Sequence, residues 1–292
     1  MKVLAIDGGG IRGLIPARVL AEIERRCERR ASELFDLVAG TSTGAIIACA
    51  LTRPQPLAAE RIARIYLDEG PEIFHRSLLE RVTSADGYVD ERYASEGLLT
   101  SLRRHLADAH LADASPPVLL TVYDLERRRA MLLGAGDDVS MVDAAHASSA
   151  APSYFEPVRV GERTLVDGGV FATNPAMCAY ARLDGRAELI VSLGTGEHTR
   201  RLPYEEVKDW GRLEWVRPVL DVVFHGTSDV VDIQLESLLG AGYVRLQTPL
   251  DEASDDLDDV TPGNLAALER EAERLIAARD GELDRLCERL TG

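Results

Sequence analysis

The sequence has few cysteines, few aromatic residues and no long run of apolar residues. Its four cysteines include no CxxC pair, which argues against a zinc site and a disulfide framework; they are Cys27, Cys49, Cys178 and Cys287. No run reaches the roughly 18 consecutive apolar residues that a transmembrane helix requires. We therefore expect a reduced, cytoplasmic protein with no bound metal and no cofactor.

Basic residues are scarce relative to acidic ones. The chain has 33 Lys and Arg against 49 Asp and Glu, a formal net charge of −16. Such a surface repels the phosphates of nucleic acids, so we expect no nucleic-acid partner. It also repels anionic lipid headgroups, so contact with a membrane would need a local apolar or basic patch. The first residues, "MKVLAIDGGGIRG", lack the apolar core and cleavage site of a signal peptide.

Short apolar runs alternate with amphipathic helical segments along the chain. The runs predict strands at 2–6, 36–39, 117–124, 128–133, 163–166, 187–193 and 243–248. The segments predict helices at 14–30, 44–51, 57–69, 95–109, 140–149, 175–184, 216–240 and 262–290. This alternation indicates an α/β fold with a central, mostly parallel sheet flanked by helices. No linker divides the chain, so 1–292 is predicted to be one domain, with 251–259 a solvated acidic loop.

The first glycine-rich site is "DGGGIRG", residues 7–13. Its glycines satisfy GxGxxG between a predicted strand and a predicted helix, the setting of a dinucleotide-binding turn. That function also needs an acidic residue at the end of the second strand, whereas this strand ends in glycine and continues into "TSTG". The same loop can instead expose backbone N–H groups to an anion, either a phosphate or the oxyanion of a transition state.

The second site, "GTSTG" at 40–44, matches the G-x-S-x-G pattern of a nucleophile elbow. Gly40 and Gly44 lack β-carbons, so neighbouring backbone can pass close to a strained turn that projects the Ser42 hydroxyl. The helix beginning at Thr43 directs its positive end to the same place. The alternative is that Ser42 is an ordinary helix N-cap.

The third site is "LVDGGVFATNP", residues 165–175, in which a short strand ends at Asp167. The glycines after Asp167 allow another backbone to approach it, at the sheet edge to which Ser42 also points. A turn aspartate is the alternative interpretation. A serine nucleophile needs a base, and of the six histidines His198 is the best candidate for that role; the others are His75, His105, His110, His146 and His225.

These motifs, in this order, resemble the patatin-like phospholipases, a family of lipid acyl hydrolases. The resemblance rests on "DGGGIRG" at 7–13, "GTSTG" at 40–44, "ASSAAPSYFEP" at 147–157 and "DGG" at 167–169, and extends over essentially the whole chain. It implies a three-layer α/β/α fold. Ala45 departs from the family pattern, because a glycine is often found at this position.

By resemblance, Ser42 is the nucleophile and Asp167 its direct base, a dyad without histidine. The oxyanion hole is expected from the backbone N–H groups of three glycines, Gly8, Gly9 and Gly10. Arg12 is expected near the anionic headgroup as a substrate-binding residue. No metal is needed by this chemistry.

The resemblance implies a phospholipase A type of lipid acyl hydrolase, which cleaves a phospholipid or other acyl-ester lipid at a membrane surface. We expect a cytoplasmic protein, peripheral at membranes, with residues 52–109 forming part of an apolar lid. An esterase or acyltransferase acting on a non-lipid ester remains an alternative. So does an antiviral phospholipase switched on by a cyclic nucleotide, which would make a nucleotide activator a partner. A homo-oligomer also stays open.

Overall fold

The structure is a computed structural model that describes residues 1–73, 95–197 and 202–292. Its strands are β1 (Lys2–Ile6), β2 (Leu37–Gly40), β3 (Val118–Asp124), β4 (Arg129–Gly134), β5 (Val158–Val160), β6 (Arg163–Asp167), β7 (Leu189–Leu193) and β8 (Tyr243–Leu246). Its helices are α1 (Leu14–Cys27), α2 (Ala31–Leu34), α3 (Thr43–Thr52), α4 (Ala59–Ile73), α5 (Glu96–Leu106), α6 (Met141–Ser148), α7 (Gly169–Ala172), α8 (Ala176–Arg182), α9 (Tyr204–Val207), α10 (Arg212–Leu239), α11 (Pro262–Ala278) and α12 (Asp280–Thr291).

The strands form one sheet in the order β5-β6-β3-β2-β1-β7-β8, with β4 paired to β3. The pairs β3–β2, β2–β1, β1–β7 and β7–β8 are parallel. The pairs β3–β4, β3–β6 and β5–β6 are antiparallel. The predicted α/β fold with a mostly parallel sheet is confirmed, and its antiparallel part lies on one side.

The central strands are buried on both faces, which explains why their sequences are continuous apolar runs. In β1, Leu4 and Ile6 pack into a large core together with side chains of α1, α3 and α11. Val3 and Ala5 point the other way, into a smaller core with side chains of α8 and α10. Side chains alternate between the two faces of a strand, so one strand serves both cores. The three-layer α/β/α arrangement is therefore present.

The register of the strands brings the three sequence motifs to one edge of the sheet. Ile6 pairs with Gly40 and with Leu193, so the chain leaves β1, β2 and β7 at the same level. β3 continues four residues beyond Leu120, its last pairing with β2, and Asp167 of the antiparallel β6 pairs with Val122 in this extension. Asp167 therefore reaches the edge at the level of Ser42.

Some predicted boundaries were wrong, for local reasons. The helix predicted at 14–30 ends at Cys27, because Glu28 adopts a left-handed conformation with φ 53°. The helix predicted at 262–290 is two helices, which meet at Arg279. The short elements α2, β5, α7 and α9 were not predicted.

The acidic segment 251–259 is not simply a solvated loop. Ala253 and Leu257 are buried, and the carbonyl of Leu257 accepts a hydrogen bond from the Ile11 N–H at 2.9 Å. The prediction failed because an apolar residue within an acidic run can be buried while its acidic neighbours stay in water.

Among the residues that the structure describes, no helix combines the length and the apolar character that crossing a membrane requires.

Candidate active site

Ser42 occupies a strained turn between β2 and α3. Its φ is 55°, a conformation that residues other than glycine rarely adopt. A β-carbon on Gly40 would overlap the Gly44 carbonyl, and one on Gly44 would overlap the Ile6 carbonyl, so both glycines are required by close packing. Ser42 precedes the first residue of α3, but its side chain makes no capping hydrogen bond. The hydroxyl instead lies close to Asp167 and acts to lower the pKa of its carboxyl, which favours the nucleophile elbow over the N-cap.

A second serine holds the backbone of this turn. The Ser42 N–H donates to Oγ of Ser148 at 3.0 Å, and the Ser148 hydroxyl donates to the Thr121 carbonyl at 2.8 Å. Ser148 belongs to the "ASSAAPSYFEP" segment, one of the motifs that carry the family resemblance. No role was predicted for this residue from the sequence. The contact fixes the turn against β3 and leaves the Ser42 hydroxyl available to Asp167.

Asp167 is buried at the end of β6, with about 2% of its surface exposed. Burial raises the pKa of its carboxyl to about 7, while hydrogen bonds from the Ser42 hydroxyl and the Gly169 N–H act to lower it. The Gly169 N–H lies 2.7 Å from Oδ1. At pH 7 about half of the Asp167 carboxyls are therefore ionised, and each of these is a stronger base than an ordinary aspartate with a pKa near ~3.9.

The glycine loop lies beside Ser42, and a virtual β-carbon on Gly8 would be 3.3 Å from the Ser42 Cβ. The Gly8 N–H donates to the Thr173 carbonyl at 3.1 Å, and the Gly8 carbonyl accepts from the Thr195 hydroxyl at 2.7 Å. By contrast, the N–H groups of Gly9 and Gly10 have no acceptor among the residues that the structure describes. Two unoccupied backbone donors thus remain near the serine.

Both of these glycines are also constrained by packing. Gly10 has φ +57°, and a β-carbon there would overlap the Leu257 carbonyl. A β-carbon on Gly9 would overlap the Thr195 side chain. A side chain at either position would therefore lower stability as well as disturb the loop.

Arg12 is buried behind this loop and joins it to the acidic segment. Its guanidinium donates to the carbonyls of Gly9 and Asp255, each at 3.4 Å. Burial lowers the pKa of Arg12, and nearby acidic residues, including Asp221 and Asp255, act in the opposite direction. Arg12 therefore positions the glycine loop and also lines the cleft described next.

Ser42, Asp167, the three glycines and Arg12 all line one cleft, with an empty volume of about 1050 Å³ that includes the part open to solvent. Several residues of the cleft wall were not predicted from the sequence; they are Tyr154, Phe155, Phe224, His225 and Leu257. Burial lowers the pKa of His225, so this imidazole is neutral at pH 7. Apart from its helical context, the sequence around His225 carries no signal that would have identified it.

The expected lid is described only in part. Tyr66 and Ile73 of α4, together with Leu98 of α5, line the cleft, so this region does contribute to its wall. Ile65 and Ile73 are half-buried rather than exposed. Residues 74–94 and His198, the histidine favoured from the sequence, lie outside the described residues.

A second buried aspartate, Asp7, lines the cleft at the end of β1. Its Oδ2 lies 2.6 Å from one guanidinium nitrogen of Arg245. A second nitrogen of the same guanidinium, Nε, lies 3.2 Å from Oδ2 of Asp232. Burial raises the pKa of Asp7 to about 6, and Arg245 acts to lower it. Asp7 is therefore ionised and paired with a cation at neutral pH.

Comparison with known proteins gives a consistent result. A family model described as "Patatin-like phospholipase" matches residues 4–180. The chain is 32% identical to "Patatin-like protein 1" of Oryza sativa subsp. indica, over 96% of this chain and 82% of that protein. It is 30% identical to "Patatin-like protein 2" of Arabidopsis thaliana, over 94% of this chain and 83% of that protein.

Among solved structures, the chain is similar to VipD from Legionella pneumophila, with a TM-score of 0.42 and 11% identity. The match covers 95% of this chain and 66% of VipD. A likeness of this size carries no argument about the site.

Proposed function

Because the chain belongs to the patatin-like phospholipase family, whose members are lipid acyl hydrolases, we propose that it cleaves acyl esters of membrane phospholipids through an acyl-Ser42 intermediate. The observation that carries the proposal is that Ser42, on its strained turn, and the buried Asp167 line the same cleft, close enough for the Ser42 hydroxyl to act on the pKa of the Asp167 carboxyl. These two groups make a catalytic dyad without histidine.

In the first step, the Ser42 oxygen attacks the carbonyl carbon of the ester while Asp167 takes the hydroxyl proton. The tetrahedral intermediate then expels the lysolipid alkoxide, which leaves as an alcohol after receiving that proton from Asp167. In the second step, Asp167 takes a proton from water, and the resulting nucleophile attacks acyl-Ser42. The fatty acid is released, and Asp167 returns the proton to Ser42.

The negative charge on the tetrahedral intermediate needs donors that are fixed in advance. We assign this role to the N–H groups of Gly9 and Gly10, since neither has an acceptor among the described residues. The Gly8 N–H, expected to be a third donor, is bonded to the Thr173 carbonyl. Gly8 therefore serves close packing against Ser42 in this proposal, and Arg12 holds the loop near the lipid headgroup.

The setting of the reaction follows from the substrate. We propose a cytoplasmic enzyme, peripheral at membranes, in which residues 1–292 form one catalytic domain. The arrangement of the sheet supports the single domain, because β8 from the last quarter of the chain pairs with β7, which in turn pairs with β1. No specific observation favours a nucleotide activator. The same dyad would serve an esterase or an acyltransferase, so substrate class is the point to test.

The test is lipid analysis of phosphatidylcholine vesicles incubated with the wild-type protein and with Ser42→Ala. Free fatty acid and lysophospholipid should appear in equal amounts with wild type and be absent with Ser42→Ala. Thermal unfolding of the two proteins checks that the substitution leaves the fold intact. A fluorophosphonate probe should label wild type at Ser42.

Labelling of Ser42 without any lipid product, together with turnover of a short water-soluble ester, would replace the phospholipase with an esterase. Transfer of the acyl group to an added alcohol in preference to water would indicate an acyltransferase. Absence of labelling in a folded protein would remove Ser42 as the nucleophile.

A further inference from the structure

The exposed large apolar side chains of the described residues are concentrated on α10. Six lie on this helix, and each is between 39% and 68% exposed; they are Trp215, Val219, Val222, Val230, Ile233 and Leu238. A single exposed apolar residue needs no explanation, but a contiguous row indicates an interaction surface. We call the row formed by Trp215, Val219, Val222, Gly226, Val230 and Ile233 the α10 stripe.

The α10 stripe follows the helical repeat and faces away from the active site. Its members are separated by three or four residues, which places them along one side of the helix. The α10 residues that line the cleft, Asp221, Phe224, His225 and Ser228, are on the opposite side. The stripe is therefore not explained by the substrate pocket.

Gly226 at the middle of the stripe has no evident role within the chain. It lies inside a helix of 28 residues, where glycine is less favourable than alanine. It is exposed, and a β-carbon built on it would meet nothing within 4 Å. A glycine in an apolar helix face allows the backbone of a second helix to approach closely.

The stripe is self-complementary about Gly226. If two copies of α10 pack antiparallel with Gly226 opposite Gly226, residue numbers that sum to 452 face each other. Val219 then faces Ile233 and Val222 faces Val230, so these four apolar side chains meet one another, while Trp215 lies opposite Ser237. A twofold axis requires this matching of a surface with itself. We propose that the α10 stripe binds a second copy of this chain, forming an antiparallel homodimer.

The charges beside the stripe favour a protein partner over a lipid surface. From residue 218 to the end of α10 every formally charged side chain is acidic, and Asp229 and Glu236 are exposed beside the stripe. In the antiparallel pair the two copies of Asp229 are offset by about 9 Å along the axis and those of Glu236 by about 30 Å. A helix that lies on a membrane usually carries Lys and Arg on its polar face, so a lipid surface is the less favoured occupant.

The size of the stripe predicts a weak dimer. Trp215 and Ile233 are about 27 Å apart along the axis, and a helix is roughly 10 Å wide. Two such surfaces bury an area at the low end of specific interfaces, below about 1,200 Å². We therefore expect a Kd on the order of micromolar, and tighter association at high salt, which screens the repulsion between two chains of net charge −16.

Sedimentation analysis over a dilution series tests the association. The wild-type mass should rise from 31.9 kDa towards twice that value with concentration. Val222→Glu and Ile233→Glu should each raise Kd at least tenfold. Leu132→Glu is the matched control, because Leu132 is 37% exposed but lies on β4; this variant should associate like wild type.

Cysteine cross-linking tests the geometry independently of those variants. In a Cys178→Ser background, Gly226→Cys should form a covalent dimer under mild oxidation, because the two copies of residue 226 meet at the axis. Glu236→Cys should not, since its copies are about 30 Å apart. Cross-linking at both positions would indicate a parallel pair and overturn the antiparallel arrangement.

A wild-type protein that stays monomeric at 100 μM overturns the proposal. If that monomer floats with zwitterionic vesicles and Ile233→Glu does not, the stripe is a lipid-binding surface instead. A dimer that survives both glutamate variants, with no cross-link at residue 226, places the interface elsewhere.

Discussion

Asp7 and Asp167 make an instructive pair. Each follows or ends a strand at the same edge of the sheet, each is about 2% exposed, and each lines the active-site cleft. Burial raises the pKa of both carboxyls, to about 6 for Asp7 and about 7 for Asp167. They differ in their partners, because Asp7 contacts the Arg245 guanidinium whereas Asp167 accepts hydrogen bonds from the Ser42 hydroxyl and the Gly169 N–H.

The difference shows that burial alone does not make a base. A carboxylate paired with arginine is held in its charged form, and the ion pair stabilises the folded protein. A carboxylate whose partners are a hydroxyl and one backbone N–H can take up a proton without breaking an ion pair. Substitutions at the two aspartates should therefore damage different properties of the protein.

The largest expected effect is on catalysis. Asp167→Asn should lower kcat about 10⁴-fold with the fold retained, because a nucleophile without its base is nearly inert. Steady-state kinetics on phosphatidylcholine vesicles measures it. His225→Ala and His198→Ala are the controls and should keep most of the activity. If either histidine variant is as inactive as Asp167→Asn, a histidine is the base and the dyad is wrong.

The next effect is on stability. Asp7→Asn should destabilise the protein by about 1–3 kcal/mol, because it leaves the buried Arg245 with only Asp232 as a charged partner. Part of that loss is offset, since the substitution also removes a buried carboxylate whose pKa is raised. Chemical denaturation provides the measurement. Asp184→Asn, at an aspartate whose side chain is 83% exposed, should change stability by less than about 0.5 kcal/mol. An Asp7→Asn protein as stable as wild type would show that the ion pair is dispensable.

Asp167→Asn should instead stabilise the protein, by about 2–4 kcal/mol at pH 8. The folded pKa of Asp167, about 7, lies above its unfolded value of 3.8. Wild type therefore loses stability as the pH rises from about 4 to 7, whereas the asparagine variant does not. The gain should shrink as the pH falls towards 5, and a gain independent of pH would mean that ionisation is not its cause.

The smallest effect is a slope in the pH–rate profile. Asp167 must be ionised to act as a base, so kcat/KM should rise about tenfold per pH unit below 7 and level off above it. Asp7→Asn should keep this profile if enough folded enzyme survives. A profile that is flat between pH 5 and 8 would assign the base to another group.

Ser42 and Asp167 could be identified from the sequence because their signals are local, but their pairing as a dyad came from the resemblance to the family, since the residues alone favoured His198 as the base. "GTSTG" joins the end of β2 to a glycine turn, at the edge where the parallel strands of the sheet end. "DGG" likewise follows the end of a strand, but that strand, β6, is antiparallel to β3. The register of β6 against β3, which brings Asp167 to the level of Ser42, could not be read from either motif. The strand β5 was missed because it has only three residues and its middle residue, Arg159, is exposed.

The cleft wall was predicted less well, for a different reason. Phe224 and His225 reach the site because α10 packs against α7 and α8, and nothing near them in the sequence indicates this. Leu257 reaches it because an acidic segment folds back onto the glycine loop. Contacts between residues so distant in sequence need the assembled fold, and a helical pattern only predicts that α10 exists.

The hydrogen bonds of the glycine loop also bear on how the enzyme is made. Gly8 is held by Thr173 and Thr195, and Ile11 by Leu257. Because the loop precedes all three of these partners in the chain, it cannot reach its final geometry until the chain has been synthesised as far as Leu257. Contacts of such long sequence separation form late in folding. Nascent chains that end before Leu257 should therefore carry Ser42 without being able to hydrolyse lipid.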